Sequence, residues 1–417
     1  MIFAFLLLGT CSEYTSSARE TKLLVSKLNG AVDTFYEYKW QSVLNECDEN
    51  LVLPGTGGPG FFISEDEAAE LVTLLIAEGD FCTITIYTIP GTSPNNSLAC
   101  SAATSYEDCL ARVISMNPGA SSYSSKGFAK DIATRLLDVN LTDIVLYGVS
   151  YSARVAAEIT ILGILEIDRL VLNAPLSFSH KNHIPDPYMY ARVFLNLKGA
   201  CLADADCKRK FPNVLTELTQ KAIFIEGIGT SVFDNVGRPV LKLDLIRKIQ
   251  RVLANEGPIA AIRSLHEFDF KASTQYEGYS VSQSSHFSRT HFELVMCNDF
   301  ETLDRDEYIV FDLGVYGARW GDPRQFICGK RLKQQKPSTS SVPVLIFFNA
   351  YDPIVDLAYA YSYLEIFSCI ELQINEGAYH SLLPTSLLSL KRGVECTSID
   401  NLKGDLNETI HSRYMFN

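Results

Sequence analysis

Six short apolar runs constrain this chain more than any other feature. "NLVLPG" (50–55), "FCTITIYTIP" (81–90), "DIVLYG" (143–148) and "DRLVLNAP" (168–175) fall early, while "PVLIFFNA" (343–350) and "CIELQIN" (369–375) fall late. Each is short, rich in β-branched or aromatic residues and bounded by turn formers, as strands buried in a sheet are. Helical patterns lie between them. Ser64-Glu65-Asp66-Glu67 is a capping box that opens "EAAELVTLLIAE", and this helix stops at Gly79. Phe128, Ile132 and Leu136 recur every four residues, and Ala153, Val155, Ala156 and Ile159 mark a closely packed helix after "DIVLYG". Strands alternating with helices predict an α/β fold, a mostly parallel sheet with helices on both faces. Alternation stops after Pro175 and returns at Pro343. The expected division is therefore a sheet core over 20–175 and 341–417, interrupted by a mainly helical insertion over 176–340.

Composition narrows the class. The 417 residues are 47% hydrophobic and 20% charged, which suits a packed globular protein. A net charge of −13 argues against a nucleic-acid partner. Residues 1–12, "MIFAFLLLGTCS", read as a short secretory leader, too short to span a bilayer, so the mature chain is expected to be exported without stable membrane insertion. Of 11 cysteines, loss of Cys11 with the leader leaves ten, an even number that favours disulfides over buried thiols. Cys100 with Cys109, and Cys201 with Cys207, are close in sequence. No Cys-x-x-Cys or His-x₃-His spacing points to a metal, and no cofactor is expected. Asn95, Asn140 and Asn407 begin glycosylation triplets.

The chemistry centres on "LYGVSYSARV" (146–155), in which Ser150 follows a strand and precedes a helix. A nucleophile elbow is usually Gly-x-Ser-x-Gly; here the final glycine is Ser152. A serine hydroxyl needs a base to take its proton, an acid to hold the base, and donors for the oxyanion. Asp352 lies beyond "PVLIFFNAY" and His380 beyond "CIELQINEGAY", in the order serine, acid, histidine. Both sit at carboxyl ends of expected strands, where open α/β sheets place their sites. A lone histidine or turn aspartate is usually structural; the order and placement of all three set these apart. Asp356 is an alternative acid and Glu376 a weaker one. The oxyanion donors are expected to be the N–H groups of Tyr151 and of the glycine loop at Gly57 and Gly58. A phosphate-binding reading of that loop lacks the Gly-Lys-Ser/Thr it would need.

These segments together resemble the α/β-hydrolase peptidases of the tripeptidyl aminopeptidase and prolyl aminopeptidase group. "GTGGPG" (55–60) is similar to their oxyanion loop, "IPGTSPNNSLAC" (89–100) to their Arg-Gly-Thr-Gly-x-Ser segment, and "GVSYSA" (148–153) to their elbow. "YDPIVDLAYA" (351–360) and "GAYHSLL" (377–383) resemble their acid and histidine segments. "MCND" (296–299) resembles a stretch of the tripeptidyl aminopeptidase branch whose disulfide implies Cys297 with Cys328 here. The likeness spans roughly 45–175 and 290–385 and departs at Ser152, at Pro90 in place of arginine, and at Val355-Asp356 in place of Thr-Pro.

The resemblance implies an α/β-hydrolase fold with a helical cap, and a secreted serine peptidase acting on peptide substrates with free N-termini. Acids in the insertion would then hold the substrate ammonium; Asp204, Asp206, Glu267 and Asp269 are candidates. A carboxylesterase or lipase would use the same triad, and a binding protein on a decayed hydrolase scaffold is the alternative of another class.

Overall fold

The computed structural model describes residues 23–30, 34–42, 47–78, 81–92, 122–178, 189–213, 249, 252–253, 256–267, 291, 294–295, 298–299, 338–375, 380 and 393–414. The leader at 1–12, the cysteines Cys100, Cys109, Cys297 and Cys328, and Asn95, Asp269 and Glu376 lie outside these residues.

Eight strands form one sheet: β1 (Leu24–Asn29), β2 (Thr34–Gln41), β3 (Glu49–Leu53), β4 (Phe81–Tyr87), β5 (Ile144–Val149), β6 (Ile167–Asn173), β7 (Val344–Asn349) and β8 (Ile370–Asn375). Their spatial order is β1-β2-β4-β3-β5-β6-β7-β8. The first two strands pair antiparallel with each other, and β2 pairs antiparallel with β4. From β4 to β8 every pairing is parallel. All six expected strands are present; the hairpin β1–β2 adds to them.

Alternation within single strands shows why the sheet is covered on both faces. In β5, Ile144 and Leu146 join one hydrophobic cluster, while Val145, Tyr147 and Val149 join the other. In β7, Val344, Ile346 and Phe348 face the first, and Leu345 and Phe347 the second. A strand buried on both sides reads as a continuous apolar run, because both sets of alternate side chains are apolar.

Helix α1 (Glu65–Glu78) covers the second face through Leu71, Val72 and Leu75. It opens with the expected capping box: Ser64 N–H donates to Glu67 Oε2 at 2.8 Å, and Glu67 N–H donates to Ser64 Oγ at 3.3 Å. Helices α2 (Ser125–Asp138) and α3 (Tyr151–Leu162) cover the first face through Phe128, Ile132, Leu136, Val155 and Ile159. The insertion contributes α4 (Met189–Ala203), α5 (Ala205–Lys210) and α6 (Pro258–Glu267). After β7, a 3₁₀ turn (Leu357–Tyr359) leads into the short α7 (Ala360–Leu364), beyond which Phe367 bridges to Ser340. The chain ends its described part in α8 (Ile399–Tyr414).

Strand order places the site. From β3 the chain moves outward to β4, then crosses back to β5 on the other side of β3. Loops leaving β3 and β5 therefore diverge and open a crevice at their carboxyl ends, where α/β sheets bind ligands. The glycine loop follows β3 and Ser150 follows β5. A mostly parallel sheet in this order, with helices on both faces, an elbow after β5 and an insertion between β6 and β7, is the α/β-hydrolase fold.

Three disulfides occur among the described residues: Cys47–Cys82, Cys201–Cys207 and Cys369–Cys396. The second is one of the expected pairs. The other two join cysteines 35 and 27 residues apart, a separation that sequence spacing alone does not single out. No helix among the described residues is long and apolar enough to cross a membrane.

Candidate active site

Ser150 lies between the last residue of β5 and the first of α3, with φ 54° and ψ −119°. Positive φ is costly for a residue with a Cβ and persists only where surrounding structure over-determines it. Here it is over-determined. Ser150 N–H donates to Asn173 O at the end of β6, and Leu176 N–H donates to Ser150 O, both at 3.0 Å. The reversal also brings α3 back against β5. A Cβ on Gly148 would lie 2.4 Å from the Ala153 Cα and 2.7 Å from the Ser152 carbonyl oxygen, so only glycine fits there.

Ser152 is accommodated by two features. Its side chain is fully buried opposite Gly55, where an added Cβ would stand 3.0 Å from the Ser152 Cβ. Its hydroxyl donates to Val149 O at 2.8 Å and accepts from Val149 N–H at 2.9 Å. The extra CH₂OH thus fills space left by a glycine on the neighbouring loop and ties the first turn of α3 to the strand before it.

The glycine loop is docked on the same turn. Ser152 N–H donates to Gly57 O at 3.1 Å, satisfying one of the amide donors that a helix start leaves unpaired. Gly57 has φ 148°, a conformation that disfavours any side chain, although a Cβ there would meet nothing within 4 Å. Gly57 is therefore open, whereas a Cβ on Gly58 would stand 3.2 Å from the Phe61 ring. Tyr151, the other expected oxyanion donor, begins α3 with its side chain fully buried.

The acid and base meet directly. His380 Nδ1 lies 2.7 Å from Asp352 Oδ2, with the Asp352 side chain fully buried and that of His380 14% exposed. An ionised carboxylate only accepts, so Nδ1 carries the proton and Nε2 is left to exchange one. Asp352 is itself held from several sides. Its Oδ1 accepts from Ile354 N–H at 2.8 Å and Val355 N–H at 3.0 Å. Its backbone carbonyl accepts from the Asn196 side chain of α4 at 2.8 Å. Beside it, a Cβ on Gly199 would fall 2.2 Å from the Tyr351 ring, so α4 lies flat against the acid-bearing loop. Among the described residues the histidine–acid hydrogen bond is made, and one between Ser150 Oγ and His380 is not; catalytic hydrogen bonds often tighten only around substrate.

Other candidates take structural positions. Asp356 caps the 3₁₀ turn, accepting from Ala358 N–H at 2.8 Å. Asp204 caps α5 through Cys207 N–H, also at 2.8 Å, and Asp206 makes an exposed pair with Arg209 at 2.5 Å. Glu267 belongs to α6, and its side chain lies outside the described residues. Asn140 and Asn407 are both exposed, Asn140 in a turn and Asn407 on α8 beside the Tyr361 hydroxyl.

Sequence reasoning missed a buried polar group under the elbow. Arg154 is fully buried in α3, and Asp299 is 2% exposed. Burying such charges is costly unless they are paired, so their positions are informative. The available signal was an arginine inside an otherwise apolar helix face, four residues after the nucleophile.

No protein-family model matches the chain, and no curated protein matches it. Solved structures with a related chain path include a proline iminopeptidase from Mycobacterium smegmatis, at 12% identity and a TM-score of 0.41, covering 94% of this chain and 98% of that one. VinJ is 11% identical with a TM-score of 0.39, covering 93% and 99%. An esterase from Exiguobacterium antarcticum is 12% identical with a TM-score of 0.38, covering 94% and 100%. Likeness at this level says nothing about activity. The strand order, the strained elbow and the position of the insertion define an α/β-hydrolase fold on their own.

Proposed function

We propose that the chain is an exported serine hydrolase working through an acyl-enzyme on Ser150, with His380 as base and Asp352 as the acid that orients it. The observation that carries this reading is the His380–Asp352 hydrogen bond at 2.7 Å, formed beyond β7 and β8 at the same sheet edge as the strained Ser150 turn. His380 Nε2 takes the Ser150 proton as Oγ attacks the substrate carbonyl carbon. Buried Asp352 stabilises the imidazolium that forms. The N–H groups of Tyr151 and of the Gly57–Gly58 loop hold the oxyanion. His380 then protonates the leaving group, and a water activated by the same nitrogen releases the acyl group.

The substrate class we propose is peptides with a free N-terminus. Its support is the set of sequence segments resembling the tripeptidyl and prolyl aminopeptidase group. One observation favours the esterase reading instead: Asp204 and Asp206 are engaged as a helix cap and a surface ion pair, not as a site for an ammonium group. Export is supported by the three disulfides.

Purified protein and Ser150→Ala are to be assayed on N-terminally free and blocked peptide amides and on short esters. Loss of the nucleophile is expected to remove turnover by about 10⁶-fold. Serine-dependent cleavage restricted to free peptides supports the peptidase, and ester turnover alone replaces it with the esterase. If a serine-reactive phosphonate leaves Ser150 unlabelled, the hydrolase reading fails and a binding protein takes its place.

A further inference from the structure

The buried group under the elbow has a geometry that reaches the reaction centre. Asp299 belongs to the insertion between β6 and β7. Its carboxylate accepts from Ser125 N–H at 3.0 Å and from Ser125 Oγ at 3.1 Å, at the first residue of α2. It also accepts from the Tyr151 hydroxyl at 3.0 Å. Arg154 supplies the balancing charge: its Nε is 4.0 Å from Asp299 Oδ2 and donates to Ser125 Oγ at 3.0 Å. The same guanidinium donates to Ser177 O at 2.6 Å and stands 5.0 Å from the centre of the Phe178 ring. One carboxylate thus joins the insertion, the start of α2 and the first residue of α3.

That first residue is the important one. Tyr151 immediately follows Ser150, and its backbone N–H is an oxyanion donor in the proposed mechanism. Its ring is fully buried, so its hydroxyl had to find a partner, and the partner is an ion anchored by its own set of donors. Relaxation of the strained Ser150 turn by rotation of the first turn of α3 would carry Tyr151 with it. The tether from Tyr151 to Asp299 opposes that rotation.

We infer that Asp299 is a positioning residue: through the Tyr151 hydroxyl it holds the nucleophile and oxyanion donor in register, and it couples the insertion to them. The catalytic part of this inference rests on the serine hydrolase reading; the mechanical part does not. A merely structural Asp299 would fasten the insertion through Ser125 and Arg154, and loss of the Tyr151 hydroxyl would then leave the elbow unchanged.

Tyr151→Phe is the main test, because it removes one oxygen and leaves the charge pair intact. Asp299→Asn is the second variant, and its greater risk is misfolding. Two readouts are taken on the full chain: the rate of Ser150 labelling by a fluorophosphonate, and amide hydrogen exchange across residues 149–153, with β6 amides as the internal control. Tyr151→Phe is expected to slow labelling about tenfold at saturating reagent with little change in half-saturation, and to accelerate exchange at the elbow but not in β6. Asp299→Asn added to Tyr151→Phe is expected to slow labelling by less than the product of the two single effects. Labelling and elbow exchange both within twofold of wild type overturn the inference, as does exchange that accelerates equally in β6. If the wild-type protein is not labelled at all, the hydrolase reading has failed, and the exchange comparison alone decides the mechanical coupling.

Discussion

At the scale of single residues, Ser152 is the departure that most needed an account. A glycine at this position normally permits close helix–strand approach; here the neighbouring loop supplies the glycine instead, at Gly55, and the serine hydroxyl bonds the Val149 backbone twice. Ser152→Gly is therefore expected to destabilise the fold by about 1–2 kcal/mol while changing Ser150 labelling less than threefold. Denaturant unfolding and labelling kinetics check the two halves separately, and a marked gain in rate would mean that Ser152 crowds the elbow after all. Glu158, one turn beyond Arg154, makes a different prediction. Its carboxyl is pushed up from 4.5 to about 7: burial, the largest influence, raises it, Arg154 lowers it, Asp299 raises it and Lys126 lowers it. The folded protein thus keeps a proton on Glu158 at pH values where the unfolded chain has lost it. Stability from this group is complete below about pH 4.5 and declines as pH rises through about 7. Glu158→Gln is expected to gain about 1–3 kcal/mol over wild type above pH 8, with the difference vanishing below pH 4.5. Thermal melts across that range measure it.

At the scale of elements, α4 and the acid loop are one mechanical unit. Asn196 bonds the Asp352 carbonyl, and Gly199 lets the Tyr351 ring lie on the helix. Gly199→Ala would place a methyl group 2.2 Å from that ring, so either the helix or the Tyr351–Asp352 segment must move. The expected cost is about 1–3 kcal/mol in stability, with slower turnover as the His380–Asp352 geometry loosens. Adding Tyr351→Ala makes room and is expected to recover part of both; no recovery would show that the ring is not the obstacle. None of this was legible in the sequence, because a glycine in a helix does not announce the side chain it faces. What was legible followed from local pattern. The strands β3 to β7 showed as apolar runs because both their faces are largely buried, β8 showed through Ile370, Leu372 and Ile374 alternating on one face, and the α1 capping box showed because its partners are three residues apart. Ser150, Asp352 and His380 stood out through their positions after strands. The β1–β2 hairpin did not, since "KLLVSKLN" and "TFYEYKWQ" mix charge with apolar residues as an edge hairpin with exposed Leu24 and Val25 does. The Asp299–Tyr151 contact spans 148 residues, beyond any local signal.

At the scale of the whole molecule, stability and chemistry are assigned to opposite ends of the sheet. Ser150, the glycine loop, Asp352 and His380 follow the carboxyl ends of β5, β3, β7 and β8. The two long-range disulfides lie at the other end: Cys47 precedes β3, Cys82 is the second residue of β4, and Cys369 directly precedes β8. They close loops of 35 and 27 residues, each worth about 3–4 kcal/mol if the bond acts mainly by restricting the unfolded chain. Cys201–Cys207 instead joins α4 to α5 beside the acid loop. Removing the two long-range bonds by Cys47→Ala/Cys82→Ala and Cys369→Ala/Cys396→Ala is therefore expected to lower the melting temperature by roughly 5–10 °C in combination. The rate of Ser150 labelling well below the transition should stay within twofold of wild type, because β3, β5 and β7 are fixed by sheet pairing on both sides, and β8 along its whole length by β7, and not by their amino ends. A variant that kept its melting temperature but lost labelling would reverse this assignment, and would mean that the amino ends of β3, β4 and β8 transmit strain along the strands to the site.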